Sequence, residues 1–256
     1  MKLIMNADDL GLTEKVNNAI VDCFAAGVVK STTLMINQQA TDHAVSLIKQ
    51  GLIPEVGLHI TISSGKPVLP AEQVSDLVDQ QGCFLSTQIL REKKSLSTEQ
   101  IYQELQAQYN KAVNSGIKIN HLDSHHFAAT FPALKETYIR FANDLGLPSR
   151  RVDTVSAGQT GLNVQTPQAF DMGFYDDGVD FKKLQELLLE YKRKIGSGTL
   201  ELMCHPARAQ DKQLAAVSSY CDKRAEEFEI LTSPELIQWL SDNDIECVGF
   251  ESYAQK

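Results

Sequence analysis

Residues 3–11 read LIMNADDLG, and this stretch decides how the rest of the chain is interpreted. Its apolar start predicts a buried first strand, and two adjacent carboxylates, Asp8 and Asp9, follow at the end of that strand. Neighbouring carboxylates repel each other, so this placement costs stability unless a positive group lies nearby. We therefore expect a cation at the end of the first strand.

Short apolar runs and helical patterns alternate along the chain. They predict strands at 3–5, 32–36, 56–60, 117–122, 200–204 and 245–248, with a weaker strand near Arg151 and Val152. About seven β–α alternations imply parallel strands joined by helical crossovers. The count and the length favour an irregular TIM-like (β/α) barrel with about seven parallel strands, built as a single domain over residues 1–256; an open doubly wound sheet is the alternative.

Predicted helices follow most of these strands. They cover 13–27, 42–50, 98–116, 132–146 and 181–195, and a last one starts at Ser233-Pro234, where a capping serine precedes a proline. Three long connections remain at 61–97, 154–180 and 206–232. In a barrel, long loops that follow strands build the opening of the active site.

Composition excludes several classes of protein. The 256 residues carry a net charge of −9, whereas a nucleic-acid binder needs a basic surface. No apolar run approaches the roughly 20 residues that span a bilayer, and the N-terminus does not resemble a signal peptide. The five cysteines are scattered and predict no disulfide framework. We expect a cytoplasmic protein without nucleic-acid or membrane partners.

Histidines collect at the predicted strand ends. Five of the six lie there: His59, His121, His125, His126 and His205. Because the carboxyl ends of parallel strands meet at one opening, these imidazoles and the two aspartates have the composition of a divalent-metal site. One aspartate can bind the cation while the other stays ionised and serves as a base.

Spacing suggests which residues could be ligands. Asp9, His59 and His125 would supply one carboxylate and two imidazoles and leave positions open for water and substrate. Each residue alone also fits an ordinary role, such as a turn carboxylate or a core histidine; the segment 121–126, HLDSHH, is the most specific. Arg150 and Arg151 fit a salt bridge, a contact to an aspartate or an acidic substrate. Some aromatic residues near the loops could stack on a sugar ring: Phe127, Phe131, Phe174 and Tyr175.

Several motifs occur in the order found in one known family. They are 6–11 (NADDLG), 31–33 (STT), 57–59 (GLH), 121–126 (HLDSHH) and 203–207 (MCHPA). Together they resemble the YdjC family of carbohydrate deacetylases, over essentially the whole chain. The loop after His126 departs from the family pattern, since Phe127 stands where many members have a third histidine, so the exact sugar is left open.

The resemblance implies a barrel related to polysaccharide deacetylases, a bound divalent cation (magnesium, with zinc as the second choice) and a homodimer. The implied reaction removes N-acetyl groups from N-acetylglucosamine-containing oligosaccharides such as diacetylchitobiose. Asp9, His59 and His125 match the metal ligands, Asp8 the catalytic carboxylate and His205 a general acid. Which aspartate binds the metal is open.

Two other functions fit the same residues. The first is a different metal-dependent sugar enzyme, an isomerase or a phosphoesterase. The second is a sugar-binding protein without turnover.

Overall fold

The computed structural model of the protein describes residues 1–152 and 161–253. Its strands are β1 (Lys2–Leu10), β2 (Ser31–Leu34), β3 (Val56–Ile60), β4 (Ile119–Ser124), β5 (Ala169–Asp171), β6 (Thr199–Cys204) and β7 (Glu246–Cys247). Its α-helices are α1 (Glu14–Ala26), α2 (Thr41–Lys49), α3 (Thr87–Glu92), α4 (Thr98–Asn114), α5 (Lys135–Leu145), α6 (Phe181–Ile195), α7 (Lys212–Val217), α8 (Asp222–Leu231) and α9 (Pro234–Asp242).

All these strands belong to one parallel sheet in the order β4-β3-β2-β1-β6-β5. β7 pairs with the start of β1 at Lys2 and Leu3, whereas β2 pairs with β1 only from Asn6 onwards. Beyond β4, the Leu122 amide donates to the Pro148 carbonyl and the Arg150 amide donates to the Leu122 carbonyl, both over 2.9 Å. These bonds extend the curved sheet past β4. The sheet is thus an incomplete barrel, and the predicted irregular TIM-like fold is confirmed.

Capping residues mark the ends of several helices. The Thr13 side chain accepts the Val16 amide and caps α1, and Gly27 ends that helix with a φ of 95°, a left-handed conformation that glycine adopts without strain. Ser233 caps α9 directly before its first-turn proline. These two boundaries and the whole of α6 agree with the sequence prediction.

The sheet has two chemically different faces. Apolar side chains at alternate positions pack into the core beneath the helices: Leu3, Met5 and Ala7 of β1, and Leu200, Leu202 and Cys204 of β6. The positions between them on the same strands include Asn6, Asp8 and Glu201, which are fully or almost fully buried. The inner face of the barrel is therefore polar, and it leads to the strand ends.

Some elements differ from prediction. β1 continues to Leu10 and does not end at residue 5, because Asn6 and Asp8 are satisfied by side chains inside the barrel. α3, β5, α7 and α8 lie inside the three predicted connections, of which residues 154–160 are outside the described residues. That residues 1–256 form one domain stays a prediction. In the described ranges, no helix is long and apolar enough to cross a membrane.

Candidate metal centre and active site

Asp8 and Asp9 both face one cleft, although consecutive residues of a regular strand point to opposite faces. Asp9 has a φ of 69°, and the register between β1 and β2 shifts between Ala7 and Leu10. Aspartate tolerates this left-handed conformation better than most residues. The irregularity therefore places two carboxylates at the floor of the same cleft, whose volume is about 620 Å³.

Asp9, His59 and His125 form a buried cluster at this floor. Asp9 Oδ1 lies 3.3 Å from His59 Nε2 and 2.9 Å from His125 Nδ1. The three candidate ligand atoms all lie within 4.8 Å of one another, and Asp9 Oδ1 is buried without a hydrogen-bond partner. An unsatisfied buried carboxylate oxygen between two imidazole nitrogens fits a divalent cation. The protein can therefore hold a metal ion with these residues.

Asp123 orients His59. His59 Nδ1 donates to Asp123 Oδ1 over 2.6 Å, and the Thr33 hydroxyl donates to Asp123 Oδ2 over 3.0 Å. Burial opposes a charge on His59, but the Asp123 carboxylate, with Asp9 and Asp8, outweighs it and raises the His59 pKa to about 10. The bond to Nδ1 leaves Nε2 directed at Asp9, as in carboxylate–histidine–metal arrangements.

Arg224 of α8 holds the other oxygen of Asp9. Its Nη2 donates to Asp9 Oδ2 over 2.6 Å, and its Nε donates to the Tyr220 carbonyl over 2.9 Å. Burial alone would raise the Asp9 pKa, but His125 and Arg224 lower it well below the usual range. Asp9 is therefore ionised and offers one oxygen to the cluster.

Asp8 is bound by Arg150. The guanidinium Nη1 and Nη2 donate to the two oxygens of Asp8 over 2.8 and 2.7 Å, and Asn6 Nδ2 donates to Oδ1 over 2.8 Å. Burial would raise the Asp8 pKa, but Arg150 holds it well below the usual range. Asp8 Oδ2 also lies 3.9 Å from His205 Nε2, so a small displacement would bring these two side chains within hydrogen-bond distance.

Arg150 also explains why a second group of potential ligands is not a second metal site. Asp8, His59 and Asp123 have suitable spacing for an ion. However, Arg150 Nη1 also lies 3.1 Å from Asp123 Oδ2, and its Nε donates to Glu201 over 2.7 Å. The guanidinium supplies the positive charge there. Despite Arg150, burial raises the Glu201 pKa to about 7.

His205 lines the cleft, and the buried Glu227 lies behind it. The His205 backbone amide donates to a Glu227 oxygen, and the Tyr220 hydroxyl donates to the other oxygen. Burial, assisted by Arg224, lowers the His205 pKa to about 4, so the imidazole is neutral at pH 7. Burial also raises the Glu227 pKa to about 8.

All five sequence-predicted site residues line this cleft: Asp8, Asp9, His59, His125 and His205. Other histidines from the same pattern do not join the cluster. His121 is stacked on Phe250 at 3.8 Å between ring centroids, and His126 Nδ1 pairs with the Ser63 hydroxyl. The contact of Arg150 with Asp8 agrees with one of the roles that the sequence suggested for this arginine.

The sequence did not identify Asp123, Arg224 or Glu227. The sequence offered evidence for Asp123, since this residue lies between His121 and His125 in the segment 121–126. The sequence offered no evidence for Arg224 or Glu227, because α8 lies in a segment that was predicted to be a long connection.

Comparisons with known proteins agree with the motifs. The family model described as YdjC-like protein matches residues 2–242. A carbohydrate deacetylase of Vibrio cholerae is 39% identical over 254 residues, covering 98% of this chain and 96% of that protein. One from Thermoanaerobacter pseudethanolicus is 36% identical, covering 95% of each.

A solved structure agrees as well. A putative cellobiose-phosphate cleavage protein from Enterococcus faecalis superposes with a TM-score of 0.89 at 32% identity, covering 98% of both chains. The predictions of the family and of an enzyme are thus confirmed: the chain belongs to the YdjC-like family.

Proposed function

We propose that the protein is a metal-dependent carbohydrate deacetylase that removes N-acetyl groups from N-acetylglucosamine-containing oligosaccharides such as diacetylchitobiose. Relatives that carry the name carbohydrate deacetylase support the reaction class. One observation carries the proposal: the unsatisfied Asp9 oxygen between two imidazoles lies in the same cleft as the Asp8–His205 pair. A Lewis-acid position and a proton-transfer pair are what the metal-assisted hydrolysis of an amide uses.

Asp9, His59 and His125 would hold the cation. Mg²⁺, which the family resemblance implies, is our first choice; Zn²⁺ also suits two imidazoles and a carboxylate. When bound, a divalent ion polarises a carbonyl oxygen and lowers the pKa of water. Asp123 keeps the His59 ring in position for this role, and Arg224 keeps Asp9 from turning its second oxygen toward the cluster.

Asp8 and His205 handle the proton. Because Arg150 occupies both Asp8 oxygens and His205 is neutral at pH 7, the proton that His205 gives to the leaving amine must first come from the attacking water. Asp8, which stays ionised, orients that water, and the proton of the water moves to the neutral His205 Nε2, which lies 3.9 Å from Asp8 Oδ2. The leaving amine then takes the proton, and acetate and a free glucosamine unit result.

The two alternatives make different demands on the cleft. A phosphoesterase needs several cationic side chains for the phosphate, but of the two arginines that line the cleft, Arg224 is paired with Asp9, which leaves Arg91. An isomerase would not release acetate. A binding protein would not need Asp8 and His205 within reach of each other. We therefore favour the deacetylase.

Acetate release from diacetylchitobiose tests the proposal. We expect acetate from the metal-loaded protein, loss of release in EDTA, and recovery on addition of Mg²⁺ or Zn²⁺. Release that is insensitive to EDTA would contradict the metal requirement. No release from any N-acetylated sugar, with the metal shown to be bound, would contradict the reaction.

Two further predictions accompany this function. We propose that the protein acts in the cytoplasm as a homodimer on a small oligosaccharide. Light scattering after size exclusion measures the oligomer, and a mass of one chain at micromolar concentration would contradict the dimer.

A further inference from the structure

One aromatic side chain beside the reaction centre has a large exposed surface. Among the four aromatic residues that the sequence placed near the loops, Phe131 and Phe174 are buried, and Phe127 packs edge-on against Phe170 at 5.8 Å between centroids. Tyr175 is 40% exposed and lines the cleft. Only Tyr175 of these four combines a position in the cleft with a large exposed surface.

Tyr175 is part of an apolar patch on the cleft wall. Eight large apolar side chains are exposed in the described part of the chain, and three of them, Met172, Tyr175 and Val217, line this one cleft. Met172 and Tyr175 lie in the segment between β5 and α6, and Val217 is the last residue of α7. An exposed apolar patch that borders a polar site is typical of a ligand-contact surface.

Ring stacking and hydrogen bonds hold Tyr175 in a fixed position. Tyr175 is stacked on Tyr220 with 4.1 Å between centroids and 19° between ring planes. The Asp176 amide donates to the Tyr220 hydroxyl over 3.0 Å, and the Gly178 amide donates to the Tyr175 carbonyl over 2.8 Å. Tyr220 therefore holds the Tyr175 ring in a fixed position, and 40% of Tyr175 stays exposed for a ligand.

The distance from the reaction centre fits a neighbouring sugar ring. The Tyr175 and His205 rings are 5.5 Å apart between centroids, and His205 Nε2 lies 3.9 Å from Asp8. A ligand group that contacts Tyr175 is thus separated from Asp8 only by the His205 side chain. Polar groups surround the patch: the hydroxyls of Ser218 and Ser219 line the cleft, as does Arg224, whose buried Nη1 has no hydrogen-bond partner.

We propose that the exposed face of Tyr175, bordered by Met172 and Val217, binds the pyranose ring next to the ring that carries the scissile acetamide. A pyranose has an apolar face of C–H groups and an edge of hydroxyls, which matches an aromatic surface with polar groups around it. The inference rests on the proposed function and adds to it the side chains that bind the second sugar ring.

Kinetics with two substrates test the inference. For Tyr175→Ala we expect kcat/KM for diacetylchitobiose to fall about tenfold, mainly through a higher KM, with less than about a twofold change for N-acetylglucosamine. Tyr175→Phe keeps the ring and should retain wild-type values. Ile237→Ala removes a similarly exposed apolar side chain on α9, 41% exposed, and serves as the matched control.

Equal losses on both substrates, or no loss on either, would overturn the inference. A binding measurement separates this failure from failure of the proposed function. Calorimetric titration with chitobiose and with glucosamine, neither of which carries an acetyl group, should show tighter binding of the disaccharide to the wild type. Tyr175→Ala should abolish this difference. If no acetate is released but the difference is present, the subsite stands and the deacetylase proposal fails; if the wild type binds both sugars equally, the subsite is refuted.

Discussion

The floor and the rim of the cleft are built on different principles. The floor consists of titratable side chains that are largely buried and interact through charge and hydrogen bonds: Asp8, Asp9, His59, Asp123, Arg150 and His205. The rim consists of exposed side chains outside the strands, among them Met172, Tyr175 and Val217. The carboxylates of the floor depend on their neighbours for charge compensation, whereas the rim is held mainly by ring stacking and hydrogen bonds between uncharged groups.

The difference teaches where each property of the protein resides. In the proposed function, the residues of the floor serve both the reaction and the stability of the fold, so substitutions there should impair both. We propose that the rim selects the sugar, and substitutions there should leave the charge network intact. The predictions below test this division, starting with the floor.

Asp9→Asn should have the largest effect. Asparagine tolerates the left-handed backbone at this position but supplies a weaker ligand oxygen, so we expect loss of metal binding and a decrease of about 10⁴-fold in kcat/KM. Calorimetry with Mg²⁺ and Zn²⁺ measures the binding, and circular dichroism checks the fold. Wild-type metal affinity in the variant would remove Asp9 from the ligand set.

Asp8→Asn is the matched contrast at the adjacent residue. It should retain the metal and lose turnover by about 10²–10⁴-fold, because Asp8 acts on the proton and not on the ion. The same calorimetric and acetate assays apply. Loss of the metal from a normally folded Asp8→Asn protein would instead make Asp8 a ligand.

Arg150→Met should destabilise the fold by about 3–5 kcal/mol, because it leaves three buried carboxylates, Asp8, Asp123 and Glu201, without their cation. Urea unfolding measures the free energy of unfolding. Arg193→Met, at an exposed position of α6, is the control and should change it by less than about 0.5 kcal/mol. Equal stability of the two variants would show that the floor does not support the fold.

His205→Ala should lower kcat about 10²-fold with a small change in KM. Because burial lowers the His205 pKa to about 4, the imidazole of the wild type stays neutral and competent to accept a proton well below pH 6.5. The acidic limb of kcat/KM, measured at saturating metal, should therefore lie nearer pH 4 than pH 6.5. A variant with only a raised KM would refute the proton-transfer role.

Glu227→Gln should have the smallest effect, on the pH dependence of stability. Burial raises the folded-state pKa of Glu227 to about 8 from the ordinary glutamate value of 4.5, so between these values the folded state binds more protons than the unfolded state. Stability from this group is therefore lost as pH rises through that window. Urea unfolding at several pH values should show a shallower decline in the variant; parallel curves would contradict the shifted pKa.

The sequence predicted the floor better than the rim, for a physical reason. Strands of a parallel barrel bring their carboxyl ends together, so residues as distant as Asp9, His59 and His125 could be grouped from the positions of short apolar runs. The length of β1 could not be found this way, because Asn6 and Asp8 interrupt the apolar run while facing a polar interior. Hydrophobic periodicity does not detect a strand whose inner face is charged.

The segments that carry the rim lacked any comparable signal. β5 has three residues, α7 has six, and α8 has a weakly segregated apolar face with Arg224 and Glu227 turned inward. Their side chains become significant only through contacts across the fold, such as Arg224 with Asp9, which are 215 residues apart.

The bond between the Asp176 amide and the Tyr220 hydroxyl has a consequence for re-engineering this scaffold. It joins two loops that are 44 residues apart, and the stacked tyrosines join them again. Grafting one loop from a homologue would leave its partner contacting the wrong surface. Chimaeras intended to accept a new sugar should exchange both loops together, as a single cassette, on an unaltered barrel.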